Sequence, residues 1–147
     1  MPDVYRRHAL IEAPIADVWS VVSDPDTHPD WWPAIDEVEV PDDLDAAEGE
    51  YVRRARVMPF LSMVDAVWVR EPVEHLREVN FRCTVTGSYM RFSLTPAQDD
   101  TFVELESGFL PIGMSGRIAK RISPLYVPRW LRKLMDALPG VVSEKQR

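Results

Sequence analysis

Residues 116–138 read GRIAKRISPLYVPRWLRKLMDAL, which is the longest helix-like run in the chain. Two apolar stripes with helical spacing occur in this run, and they are offset by roughly 150° at about 100° per residue. Pro124 and Pro128 stand where the phase changes, and proline interrupts a helix because it lacks the backbone donor. The run is therefore predicted to form two helical pieces with a bend. The stripes are Ile118, Ile122, Leu125 and Tyr126, then Val127, Trp130, Leu131, Leu134 and Leu138.

The chain before this run is predicted to consist mainly of β-strands. Residues 79–85 alternate apolar and polar side chains, and residues 90–95 and 103–106 repeat the pattern. Only short turns separate these three segments, which favours an antiparallel meander. The acid-rich segment 41–48 is predicted to be a solvated loop. Further strands are predicted at 4–11, 35–40, 51–58 and 63–69.

Two short helices are predicted after the first strand. Residues 15–22 place apolar side chains at i, i+3, i+4 and i+7, the pattern of an amphipathic helix. Asp24 followed by proline resembles an N-cap, and the helix that it opens must end before Pro33. Of the two tryptophans at its end, Trp31 is expected to be more buried than Trp32. An antiparallel sheet with helices on one face is an α+β fold.

Composition limits the classes of function. The 147 residues suffice for a single domain spanning 1–147, in which a tail of about 140–147 need not be ordered. The net charge of −7 disfavours nucleic-acid binding, and one cysteine excludes an internal disulfide. No motif for a cofactor or a metal is present, so neither is expected. No secretory signal or spanning segment is recognisable, which favours a cytoplasmic location.

The chain resembles the START-like, or Bet v 1-like (SRPBCC), superfamily, which includes polyketide cyclases and coenzyme Q-binding proteins. The resemblance is carried by Ile11-Glu12-Ala13-Pro14, Val18-Trp19, Asp24, the run HPDWWP at 28–33, and the strand at 37–40. It implies a helix-grip fold, in which a curved seven-stranded antiparallel sheet wraps around a long C-terminal helix. It also implies a ligand cavity between the two. Where the cyclase and quinone-binding branch tends to have Tyr-Pro, this chain has His28-Pro29.

Large and amphipathic side chains on the predicted inward faces are candidates for lining such a cavity, although a closed core would use the same residue types. Arg53 shares a strand face with Tyr51, so an inward face would bury a cation. Such a cation needs a carboxylate, for which Asp65 is a candidate, or an anionic group of a ligand. The candidate lining residues are Trp31, Tyr51, Arg53, Trp68, Phe81, Met90, Phe92, Ile118, Ile122 and Tyr126.

Three functions are compatible with these features. The first is the binding of a small hydrophobic or amphipathic molecule, such as a lipid, a quinone or a polyketide-like compound. The second is a polyketide cyclase, aromatase or dehydratase, with Tyr51 or Arg53 acting in an apolar pocket. The third is an interaction module without a ligand. The sequence alone does not decide whether the protein is an enzyme or which oligomeric state it adopts.

Basic side chains are concentrated on the C-terminal segment. A solvated helix face is the ordinary interpretation of such a pattern. The alternative is a surface that contacts an anionic membrane or an acidic protein. The basic residues are Arg117, Lys120, Arg121, Arg129, Arg132 and Lys133.

Overall fold

A computed structural model describes residues 4–32, 35–39, 49–55 and 64–146. The predicted acidic loop at 41–48 and the predicted strand end at 56–58 lie outside these ranges. The strands are β1 (Val4–Ile11), β2 (Ile35–Glu39), β3 (Gly49–Ala55), β4 (Val64–Glu74), β5 (Glu78–Cys83), β6 (Ser88–Ala97) and β7 (Asp100–Phe109). The helices are α1 (Ile15–Val22), α2 (Gly113–Ile122) and α3 (Val127–Lys145), with 3-10 helices at Pro25–Asp30 and Ser123–Leu125.

The seven strands form one antiparallel sheet in the order β1-β7-β6-β5-β4-β3-β2. The predicted α+β fold with a seven-stranded antiparallel sheet and a long C-terminal helix is thus confirmed. Cross-strand register places Tyr51 opposite Trp68, and Trp68 opposite Cys83. Phe81 lies opposite Met90 in the next row. Because side chains alternate along a strand, these rows form one face of the sheet, which we call the inner face.

Helix α3 covers the β1 side of the inner face and also packs on α1. Its apolar side chains recur every three or four residues, which places them on one helix face. The second predicted stripe is therefore the one that the fold buries. The buried residues of α3 are Val127, Leu131, Leu134, Met135, Leu138 and Val142.

The helix does not end near Leu138, although the sequence led us to expect a tail that need not be ordered. It continues through Pro139 to Lys145. Lys145 donates from Nζ to the carbonyl of Ser20 at 3.0 Å, and Gln146 donates from Nε2 to Asp17 Oδ2 at 3.0 Å. These contacts with α1, together with the buried Val142, hold the last turns in place.

The break between α2 and α3 occurs at Ser123–Leu125, as the two prolines predicted. The first stripe is not buried as a whole, since Leu125 is 72% exposed, and Ile118, a candidate lining residue, is 46% exposed. Helix α2 is buried instead through Gly116 and Ala119. A Cβ at Gly116 would collide with the carbonyl oxygen of Thr86, so small residues let α2 approach the β5–β6 turn.

Both tryptophans of the 28–33 run are buried, with 3% exposure for Trp31 and 4% for Trp32. Trp31 is the more buried of the two, as expected, but only by this small margin, and Trp32 does not face a loop. Trp32 follows the end of the 3-10 helix, and its backbone N–H donates to the carbonyl of His28 at 2.8 Å. This turn directs both indoles toward the sheet, so both of them belong to the core.

Candidate functional site

The 3-10 helix Pro25–Asp30 holds one wall of the candidate site. The side chain of Asp24 caps it by accepting from the Asp26 N–H at 3.0 Å. Thr27 donates from Oγ1 to the carbonyl of Val21 at 2.7 Å and accepts from Trp31 Nε1 at 3.1 Å. These bonds tie the helix to α1 and set the orientation of the first indole.

His28 lies at the centre of an aromatic cluster and is fully buried. Its imidazole stacks on the indole of Trp32, with ring centroids 4.0 Å apart and an angle of 14° between the planes. Phe81 meets the same imidazole edge to face at 4.7 Å. Phe92 contacts the indole of Trp31 at 5.7 Å. Residues from the 3-10 helix, β5 and β6 therefore meet at one point on the inner face.

Arg53 extends from β3 into this cluster and is only 6% exposed. Its guanidinium carbon lies 4.4 Å from the ring centroid of Trp32 and 3.9 Å from that of Trp68. Both distances are within the range of cation–π attraction. Arg53 is therefore an inward cation in contact with two indoles.

No carboxylate forms an ion pair with Arg53 among the residues that the structure describes. Asp65, the partner suggested by the sequence, is exposed and lies opposite Arg54 in the register. The residue opposite Arg53 is Ala66. Asp65 belongs to the outer face because successive side chains point to opposite faces of a sheet. The Nε and one terminal nitrogen of Arg53 are buried without a hydrogen-bond partner.

Tyr51 lies two residues before Arg53 on the same face, and its hydroxyl is also buried without a hydrogen-bond partner. Burial raises the pKa of Tyr51 to about 12, although the nearby Arg53 cation lowers it in part. Burial likewise lowers the pKa of Arg53 to about 10, and Tyr51 opposes that shift. The two groups thus interact, but they do not form a hydrogen bond of acceptable geometry.

His28 is neutral, because burial and then the charge of Arg53 hold its pKa well below 6.5, and Arg70 adds to the effect. Its Nε2 lies 3.3 Å from the carbonyl oxygen of Val22. A carbonyl can only accept, so we assign the ring proton to Nε2. The Nδ1 atom is then a buried acceptor without a partner, and the indole N–H of Trp32 is a buried donor without one.

The structure brings six of the ten predicted lining residues to this part of the inner face: Trp31, Tyr51, Arg53, Trp68, Phe81 and Phe92. Met90 lies beside Phe81 in the register and is half-buried. Ile122 is half-buried in the bent segment, and Ile118 is exposed. The ring centroid of Tyr126 lies 4.8 Å from that of Trp130, and its hydroxyl donates to the carbonyl of Ala119 at 3.4 Å. Tyr126 therefore lies in the helical layer, formed by α2 and α3.

Sequence reasoning did not select three residues of this region, namely His28, Trp32 and Arg70. His28 and Trp32 lie in the run that carried the family resemblance, so that motif was the available signal. Arg70 is buried and continues the alternation of Ala66 and Trp68 along β4. A period of two along that strand would have placed it on the inner face.

The arrangement favours recognition of an oxyanion. The groups without partners include the cation of Arg53, the donor N–H of Trp32 and the hydroxyl of Tyr51, all surrounded by aromatic rings. Buried polar groups are normally hydrogen-bonded, and a charge without a partner in an apolar environment is costly. A carboxylate, phosphate, phenolate or enolate would satisfy several of these groups together. Within the described ranges, no three His, Cys, Asp or Glu side chains are grouped as metal ligands.

A concavity of about 480 Å³ lies on the outer face of the sheet, away from the inner-face cluster. Its walls include Arg6, His8, Arg91 and Glu106. Arg6 and Glu106 form an ion pair there at 3.1 Å, and Tyr89 donates to the same glutamate at 3.1 Å. Because Arg6, Tyr89 and Glu106 satisfy one another, the inner face is the better candidate for a ligand site.

Similar folds occur in solved structures. The Zhui aromatase/cyclase from Streptomyces sp. R1128 has a TM-score of 0.76 at 16% identity, with 98% of this chain and 95% of that chain covered. A START superfamily protein from Mycobacterium smegmatis has a TM-score of 0.68 at 18% identity, with 96% of this chain and 97% of that chain covered. A Thalictrum flavum norcoclaurine synthase mutant has a TM-score of 0.68 at 17% identity, with 98% of this chain and 96% of that chain covered.

These similarities establish the helix-grip fold. No curated protein sequence matches the chain significantly. Within the described residues, no helix is long and apolar enough to cross a bilayer.

The model of the family described as polyketide cyclase / dehydrase and lipid transport matches residues 3–142, which is nearly the whole chain. The chain therefore belongs to the polyketide cyclase / dehydrase and lipid transport family.

Proposed function

We propose that the protein binds a small amphipathic molecule on the inner face of the sheet, between β3–β5 and the helical layer. The apolar part of the ligand contacts the aromatic side chains, and an anionic group of the ligand contacts Arg53. The observation that carries the proposal is the buried Arg53 cation without a carboxylate partner. Carboxylated lipids, quinone-like acids and polyketide-like compounds belong to this class of ligand.

Burial disfavours the charged form of Arg53. The fall of its pKa to about 10 corresponds to roughly 3–4 kcal/mol against the guanidinium cation, at about 1.4 kcal/mol per pKa unit. A cation that served the core alone would be replaced by an apolar side chain with little loss. An anionic ligand removes this penalty, because it supplies the missing charge and accepts from the unpaired N–H groups. Two of the fold neighbours, an aromatase/cyclase and a norcoclaurine synthase, are enzymes by name, which is compatible with a small-molecule ligand at this site.

The proposal is tested with ligand pairs that differ only in their polar group, such as dodecanoate and dodecanol. We expect dodecanoate to raise the melting temperature in a concentration-dependent way, and dodecanol to act more weakly. Arg53→Met should remove the difference between the two. Arg82→Met is the matched control, since Arg82 pairs with Glu71 at 3.2 Å and is one-third exposed. A wild-type protein that does not distinguish carboxylates from alcohols in a broad set of such pairs would refute the proposal.

Catalysis by the same site is the second candidate, and the neutral His28 favours it. Its Nδ1 can accept a proton from a carbon between two carbonyl groups, while Arg53 stabilises the resulting enolate oxygen. This step begins the cyclisation of a poly-β-ketone. The enolate carbon attacks a second ketone carbonyl, and the resulting alkoxide takes the proton back from Nδ1. The test is NMR of deuterium exchange at the acidic carbon of a β-ketothioester. His28→Phe should slow that exchange by about 100-fold or more. Exchange at the same rate in wild type and His28→Phe would leave binding alone.

A further inference from the structure

We propose that α2 and the loop before it form a docking surface for an anionic lipid bilayer. The surface consists of Leu110, Ile112, Met114, Arg117, Ile118, Arg121 and Leu125, and we call it the α2 surface. This proposal concerns a different face from the candidate ligand site, and it does not depend on the proposed function.

Exposed apolar side chains are concentrated on the α2 surface. Nine large hydrophobic residues of the described ranges are exposed, and five of them belong to this surface. Leu110, Met114 and Leu125 are the most exposed, at 66%, 69% and 72%. Val85 is a sixth, and its carbonyl accepts from Ser115 Oγ at 3.4 Å, so it lies beside the start of α2. Scattered exposed hydrophobics are ordinary, but such a concentration marks an interaction surface.

Charge on this surface has one sign. From residue 107 to residue 135 the sequence contains six lysines and arginines and no aspartate or glutamate, in a chain whose net charge is −7. Arg117 and Arg121 are exposed on α2, between the apolar side chains. Positions 114, 117, 118 and 121 lie within an arc of roughly 100° on a helical wheel. The outer face of α2 therefore presents methionine and isoleucine together with two guanidinium groups.

A bilayer fits this combination better than an acidic protein does. The apolar side chains are exposed on the helix and on the loop before it, where they can enter the region between headgroups and acyl chains. The arginines lie among them, at the depth of the phosphate groups, and their long side chains can reach outward. An acidic protein partner would need a matching apolar groove, whereas a fluid bilayer adapts to the shape of the helix. Charge complementarity makes anionic lipids the preferred surface.

The experiment measures co-sedimentation of the full chain with vesicles of phosphatidylcholine, with and without phosphatidylglycerol. We expect binding only to the anionic vesicles, and a decrease of that binding at high salt. Arg117→Glu/Arg121→Glu should weaken it by about tenfold or more. Met114→Ser/Leu125→Ser should weaken it by a similar factor without changing the charge. The charge-matched control is Arg7→Glu/Arg91→Glu, which changes two exposed arginines of the sheet and should bind as the wild type does.

Each outcome decides between the alternatives. Failure of the wild type to bind anionic vesicles overturns the proposal, and so does an equal loss of binding in the sheet control. If Met114→Ser/Leu125→Ser binds anionic vesicles as well as the wild type does, the apolar contribution is overturned and the contact is purely electrostatic. If the wild type does not bind vesicles, and a purified acidic protein binds it in a way that requires Arg117 and Arg121, the surface belongs to a protein partner. Circular dichroism and melting temperature confirm that each variant is folded.

Discussion

Arg53 lies over the indole of Trp68, with its guanidinium carbon 3.9 Å from the ring centroid. Trp68 comes from the neighbouring strand, and Trp32 contacts the same guanidinium group from the segment after the 3-10 helix. Three distant parts of the chain thus place a cation among aromatic rings. Because no carboxylate of the described residues completes this arrangement, its stability and its ligand preference can be tested separately.

Replacing Arg53 should stabilise the protein in the absence of ligand. Arg53→Met removes a buried charge and keeps a long side chain that can contact both indoles. We expect the free energy of unfolding to rise by about 1–3 kcal/mol, because the cost of desolvating the cation exceeds the attraction of the rings. Urea denaturation measures the change. Arg82→Met should alter stability by less than about 1 kcal/mol, since its ion pair is partly exposed. A destabilised Arg53→Met protein would show that the core depends on the cation.

His28 should make the protein sensitive to acid. Its folded-state pKa lies well below 6.5, so below that pH the unfolded chain binds a proton that the folded chain does not. Stability must therefore fall as the pH decreases, by up to about 1.4 kcal/mol per pH unit. Between about pH 7.5 and about pH 5 the wild type should lose about 2 kcal/mol more than His28→Phe, which keeps an aromatic ring but cannot titrate.

The measurement is urea denaturation at both pH values. His75→Gln is the control variant, because it replaces an exposed histidine outside the buried cluster. If His28→Phe and the wild type lose the same stability on acidification, the buried imidazole is not the responsible group.

The two adjacent tryptophans should contribute about equally to stability. Both are buried, and truncating a buried tryptophan costs about 3–5 kcal/mol. Trp31→Ala and Trp32→Ala should therefore each lower the free energy of unfolding by an amount in this range, as measured by chemical denaturation. Trp130→Ala provides a comparison, because Trp130 is only half-buried and should cost less. A small effect of Trp32→Ala alone would contradict its place in the core.

Two glycines with positive φ should respond differently to substitution. Gly87 has φ +79°, and a Cβ there would collide with the carbonyl oxygen of Leu110. Gly113 has φ +61° with open space around it. Gly113→Ala should cost about 1 kcal/mol from backbone strain alone. Gly87→Ala should cost clearly more, because the β5–β6 turn must also move away from Leu110. Thermal denaturation compares the two, and equal costs would exclude the steric contribution at Gly87.

Much of the fold follows from local patterns in the sequence. The period of two in residues 79–83, 90–95 and 103–106 identified three strands and their inward faces, because side chains alternate on any extended backbone. The predicted continuation of the first of them to Val85 is wrong, since β5 ends at Cys83 and Val85 is 44% exposed. The apolar stripe from Val127 to Leu138 identified the buried face of α3 for the corresponding helical reason. The break between α2 and α3 was predictable, because proline cannot donate a backbone hydrogen bond.

The candidate site required contacts between residues that are far apart in the chain. Alternation alone left open whether Arg53 is buried, and it could not place the indoles of Trp32 and Trp68 against the guanidinium group. The burial of α2 was also beyond local patterns, since Gly116 packs against the carbonyl of Thr86 and Ala119 is buried while Ile118 stays exposed. Backbone geometry sets the period of each element, so the sequence determined the elements and most of their faces. The candidate site depends on strand register and on the docking of the 3-10 helix, which together bring His28, Trp32, Arg53 and Trp68 into contact. Register and docking are decided only by the tertiary structure, because they rest on contacts between distant parts of the chain.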